Sequence, residues 1–132
     1  MKKKRVLDSF ALLVFLGKEG GYHRVQDLLS AEDRPVLMNA VNVGEVFYIL
    51  SRQRGDRAAE YFLSVVLPGL PIGVIDNSFD NVMEAARLKA KHALSFADCF
   101  AAATAIRENA VLVTGDPEFR KLGRVLTVEW ID

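Results

Sequence analysis

Short apolar runs alternate along the chain with stretches in which apolar residues recur every three or four positions, the strand and helix signatures respectively. "RVL" at 5–7 predicts a brief strand. "SFALLVFL" at 9–16 predicts a buried helix closed by Gly17. A second helix over 22–31 places Val25, Leu28 and Leu29 on one face, and "VLMN" at 36–39 predicts the next strand. "NVGEVFYILSRQRG" at 42–55 reads as a helix with Asn42 as its polar cap, Val46, Phe47 and Leu50 inward, and glycine at its end. "RAAEYFLSVVL" predicts a fourth helix, stopped by Pro68, and "IGVI" at 72–75 a third strand. The following helix spaces Phe79, Val82, Met83, Ala86 and Ala90 three and four apart. "SFADCFAAATAI" at 95–106 is apolar on nearly every side. "AVLVT" at 110–114 has the character of a strand buried on both faces, and a turn at "DPEF" precedes a last strand, "VLTVEW".

Strand and helix alternating through short connections predict an α/β/α sandwich around a mainly parallel sheet of four to five strands. The 132 residues suit one domain, 1–132, and contain no repeat, linker or low-complexity tract. Half the chain is hydrophobic (51%) and a quarter charged (26%), which marks a globular chain rather than a disordered one. Seventeen basic residues balance seventeen acidic ones, so any nucleic-acid surface must be local. The single cysteine, Cys99, reads as a small core residue in a reducing compartment. "MKKKR" before an apolar run imitates a signal peptide, but Asp8 interrupts the run, no small-x-small cleavage site follows, and the run is too short to span a bilayer. The expected location is the cytoplasm.

In parallel sheets, ligands collect beyond the carboxyl ends of the strands. Asp8 directly follows the first strand. Glu45 and Asp98 stand in the first turns of predicted helices, and Asp116 follows the strand at 110–114. Each taken singly is a helix cap: Asn42-x-x-Glu45 and Ser95-x-x-Asp98 resemble capping boxes, and Asp116 before Pro117 a standard N-cap. Together, four carboxylates in one crevice repel one another and call for a cation. Hard oxygen donors without a His–Cys cluster suit Mg²⁺ or Mn²⁺ rather than zinc. Neither His23 nor His92 is placed for catalysis.

"VLDSFALL", "NVGEVFYIL", "SFADCFAAATA" and "VTGDPEF" resemble, in order, the four acidic motifs of the PIN domain, and most closely those of VapC-type toxins of toxin–antitoxin pairs. The resemblance spans nearly the whole chain. It implies that Asp8, Glu45, Asp98 and Asp116 are catalytic, metal-binding acids, with Asp8 and Asp98 the most direct ligands. It also implies Mg²⁺- or Mn²⁺-dependent endoribonuclease activity on RNA, tRNA among the candidates, with a VapB-like antitoxin and a second copy of the chain as partners. Asn42 stands where the family often has a small hydroxyl residue, and Thr114 is a candidate to orient Asp116 or a water. Basic residues for RNA are offered by Arg52, Arg54 and Arg57, by Arg120, Lys121 and Arg124, by Arg87, Lys89 and Lys91, and by the run at 2–5. Phe47, Tyr48, Tyr61 and Phe62 are either core or a partner surface. Two other functions stay open on the residues: a PIN-fold binding protein with little nuclease activity, and a receiver-like domain taking phosphate on Asp76.

Overall fold

The computed structural model describes residues 3–132. Five strands form one wholly parallel sheet in the order β3-β2-β1-β4-β5: β1 (Arg5–Leu7), β2 (Val36–Asn39), β3 (Ile72–Ile75), β4 (Val111–Thr114) and β5 (Val128–Trp130). Alternation along the inner strands feeds two cores. Leu7, Met38 and Val113 point into one, Val6 and Leu112 into the other. The first core is closed by α1 (Ser9–Gly17), α2 (Tyr22–Ser30), α3 (Ala40–Arg54) and α4 (Asp56–Tyr61), and the second by α5 (Phe79–Lys91) and α6 (Phe96–Arg107). The α/β/α sandwich predicted from the pattern is therefore the observed one. Leu12 of α1 is fully buried in the first core, so Leu12→Ala is expected to lower stability by about 2–5 kcal/mol in urea denaturation.

Several boundaries and faces differ from the sequence reading. α1 continues through Gly17, and Lys18 takes the left-handed cap at φ 51°. α3 starts two residues before Asn42, because Asn39 ends β2 and caps the helix by accepting from the Val41 N–H. Glu45 is accordingly in the second turn. α4 widens into a π turn at Phe62–Val66 and closes in a 3₁₀ turn, Leu67–Gly69, around Pro68. The segment after β4 is a 3₁₀ stretch, Pro117–Val125, and the last strand begins only at Val128. On α5 the buried position is Ala85, whereas Phe79 is 78% exposed and Ala90 exposed. The apolar run of α1 is only half enclosed: Ala11, Leu12 and Val14 are buried but Phe10 is 41% exposed. Phe62 is core and Tyr48 and Tyr61 are exposed, which divides that aromatic set between the two alternatives. α6 is the central helix, with every residue from Cys99 to Ala105 buried. Gly21, at φ 94°, is where the chain end packs: a Cβ there would stand 2.3 Å from the Ile131 carbonyl oxygen.

Candidate active site

β1 and β4 are neighbours, yet the chain leaves β1 toward β2 on one side and reaches β4 on the other only after β3. The strand order thus reverses between them, and their carboxyl ends open the crevice in which α/β sheets bind ligands. Register sets Leu7 beside Val113, which brings Asp8 to Thr114. Asp76 ends β3, an edge strand two places from β1. The order also differs from the 2-1-3-4-5 arrangement of receiver domains, which removes that reading.

Asp8 is 1% exposed. One carboxylate oxygen accepts from the Ala11 N–H at 2.8 Å and caps α1; the other accepts from the Thr114 hydroxyl at 2.5 Å. Thr114, itself fully buried, also accepts from the Asp116 N–H at 3.0 Å, so a single hydroxyl ties the two acids together. Asp116 caps the 3₁₀ stretch by accepting from Glu118 N–H, with Pro117 next, as its sequence predicts. Ser95 caps α6 by accepting from the Asp98 N–H at 3.1 Å. Glu45 accepts a short hydrogen bond from the Ser9 hydroxyl, which links α3 to α1. Gly115 lies under Phe10, where a Cβ would meet the ring at 2.5 Å, so the loop before Asp116 packs against the aromatic residue two positions after Asp8.

Burial pushes the Asp8 carboxyl up to about 7; the bonds from Thr114 and Ala11 oppose this, and the charges of Asp98 and Asp116 add to it. Burial likewise raises Asp98 to about 6, against the Ser95 hydroxyl and with the charges of Asp116, Glu45 and Glu118. Asp98 therefore stands within electrostatic reach of Asp8, Asp116, Glu45 and Glu118, and Asp8 within reach of Asp116. Among the described residues none of the four has an ion-pair partner. No three Asp, Glu, His or Cys side chains among those residues already close around one point as a ligand set. The donor chemistry nevertheless fits Mg²⁺ or Mn²⁺, since such ions keep several waters and take only one or two carboxylates directly.

Two site residues were not readable as such. Ser9 entered the sequence reading only as the start of a helix, and Glu118, which the structure pairs with Lys121, was not singled out. Their spacing, one residue after Asp8 and two after Asp116, was the only signal. Asn42 is not a cap: it is fully buried and its Nδ2 donates to the Ala97 carbonyl at 3.0 Å. The basic candidates divide. Arg120 stacks over Trp130 at 4.8 Å, at the carboxyl end of β5, while Lys121 donates to the Ala93 carbonyl and pairs with Glu118. Arg52 lies over Tyr48 at 5.2 Å, and Arg54 lines a groove with Phe10, Leu13 and Leu50. Arg57, Arg124, Arg87, Lys89 and Lys91 are exposed, Lys89 donating to the Leu94 carbonyl. Lys2 lies outside the described residues; Lys4 and Arg5 pair with Glu108 and Glu129. Cys99 is a buried free thiol, as expected of a core residue.

No curated protein matches the chain. Among solved structures it is similar to VapBC2 from Rickettsia felis, bound to a promoter DNA fragment, with 21% identity and a TM-score of 0.77 over 98% of this chain and 99% of that one. It is similar to VapC20 from Mycobacterium tuberculosis, described as a toxin cleaving the sarcin–ricin loop, at 18% identity and a TM-score of 0.74, covering 90% and 95%. DNA-bound VapBC from Salmonella typhimurium matches at 18% identity and 0.73 over the full length of both chains. The model of the PIN domain matches residues 5–125, which take in four of the five strands and both helical layers. The chain belongs to the PIN-domain family.

Proposed function

We propose that this protein is a metal-dependent endoribonuclease, the toxin of a VapBC-type pair. The observation that supports this best is Asp8: a carboxylate 1% exposed at the strand-order reversal, facing other acids and without a cationic partner. Such an arrangement is costly unless a cation enters. Asp8, Asp98, Asp116 and Glu45 would hold Mg²⁺ or Mn²⁺, which when bound supplies an activated water near neutral pH and charge stabilisation at the phosphate. Thr114 keeps the Asp8 and Asp116 positions together, and Ser9 fixes one oxygen of Glu45. Water attacks the phosphorus in line, leaving a 5′-phosphate and a 3′-hydroxyl. A 2′,3′-cyclic phosphate product would overturn this course.

Arg120 on Trp130, with Arg52 and Arg54, supplies the phosphate-binding surface, so affinity for RNA is expected to fall steeply with salt. The groove lined by Phe10, Leu13, Leu50 and Arg54 suits an amphipathic segment of a VapB-like antitoxin. We place the protein in the cytoplasm as a homodimer; no helix among the described residues is long and apolar enough to cross a membrane.

The test incubates purified protein, freed of partner, with tRNA and other RNAs in Mg²⁺, Mn²⁺ or chelator. Cleavage should require metal and be lost in folded Asp98→Asn protein. Metal binding without cleavage of any RNA would favour the binding-protein reading.

A further inference from the structure

One buried atom at the site lacks a partner. Asn42 is fully buried, and its Oδ1 has no hydrogen-bond partner among the described residues. The amide cannot be turned to relieve this, because Nδ2 is directed at the Ala97 carbonyl at 3.0 Å, which only accepts. Oδ1 is therefore held where it needs a donor, and native structures seldom leave such an atom unsatisfied.

The surroundings define that donor. Asn42 lies three residues before Glu45 on α3, so the two side chains share a helix face. Its other bond reaches the residue adjoining Asp98 on α6. No donor among the described residues reaches Oδ1, and the carboxylates of Glu45 and Asp98 and the Ala97 carbonyl only accept. Ser9, the nearby hydroxyl, already donates to Glu45. A water meets the need, since it donates to Oδ1 and to a carboxylate at once.

We infer that Asn42 is a positioning residue whose Oδ1 accepts from an ordered water at the α3–α6 side of the acidic crevice, a water that belongs to the hydration shell of the ion held by the carboxylates. This rests on the metal-dependent reading above and adds a residue that acts through water rather than as a ligand. The same side chain also bridges α3 to α6, which sets Glu45 against Asp98.

The test compares Asn42→Leu, similar in size and without polar atoms, and Asn42→Thr, which retains one oxygen, by Mn²⁺ titration calorimetry and thermal melts. Asn42→Leu should weaken Mn²⁺ binding roughly 10–100-fold while still melting cooperatively without metal. Asn42→Thr should recover most of the affinity. Unchanged Mn²⁺ affinity in Asn42→Leu overturns the inference, as does a lowered metal-free melting temperature with the Mn²⁺-induced increment intact. If Asn42→Leu does not fold, the wild-type crystal structure with Mn²⁺ decides: a water bridging Oδ1 and the ion supports the inference, and its absence overturns it. Wild-type protein that binds no Mn²⁺ would instead overturn the metal-dependent reading itself.

Discussion

Asp8→Asn is expected to abolish RNA cleavage while leaving the protein folded and, in metal-free buffer at about pH 8, more heat-stable than wild type. The amide preserves the local bonding. Its oxygen can accept from Ala11 N–H, and its nitrogen can donate to the Thr114 hydroxyl, whose proton rotates away. What is lost is the buried negative charge between Asp98 and Asp116. If that charge holds the ion, several kcal/mol of transition-state stabilisation go with it, a rate loss of roughly 10²–10⁴-fold. The gain in stability follows from the same charge, because an ionised carboxylate no longer has to be buried. Gel-based cleavage assays and calorimetric melts on one preparation check both. An inactive but destabilised variant would make Asp8 a structural cap; an active one would remove it from the site.

The second large effect is an inverted pH dependence of the metal-free protein. Burial raises Asp8 from 3.8 to about 7, so the folded state binds a proton more tightly than the unfolded chain. The contribution to stability is therefore complete below about pH 3.8 and is lost as pH rises through about 7, opposite to the usual paired carboxylate. The displacement corresponds to on the order of 4 kcal/mol. Asp98, raised to about 6 and partly exposed, acts in the same direction by less. Mg²⁺ or Mn²⁺ requires the ionised form, so added metal should stabilise at about pH 8 and do little at about pH 5. At a hundredfold excess over its dissociation constant the increment is about 2.7 kcal/mol. Denaturation curves across pH, with and without metal and in Asp8→Asn, check this. A wild-type profile parallel to that of the variant would show that Asp8 is not the group responsible.

How far the site was legible depended on how local its signals are. Asp8, Asp98 and Asp116 were placed correctly at helix starts because N-cap chemistry is written in three or four consecutive residues. Their order along an alternating strand–helix pattern was enough to send them to one sheet edge. The start of α3 was misplaced because Asn39 does two things at once. It ends β2, and it caps α3 while donating to Asn77 and Thr104, residues far along the chain. No local pattern reveals such a cap, and Asn42, read as the cap, instead lies buried inside the helix.

Periodicity likewise identified α5 as a helix and set Val82 against the core, but misjudged the ends of that face. Phe79 fits the spacing yet sits at the solvent-exposed first turn, and the small Ala85 meets the core. α1 and α6 have almost no periodicity, since apolar residues surround both. Only packing shows that α6 is enclosed from Cys99 to Ala105, whereas α1 leaves Phe10 partly in solvent beside Gly115.

By itself, the sequence determined the alternating α/β architecture, the helix starts that hold three acids, and the family to which those motifs belong, because each is encoded within a single element. Only the tertiary structure decided which groups meet. Leu7 pairing with Val113 sets Thr114 on Asp8, Ser9 reaches Glu45 from one helix to another, and the charge of Glu118 reaches Asp98. The physical reason is that burial and mutual repulsion of charges depend on distances in space, and those exist only once strands have chosen their neighbours and register.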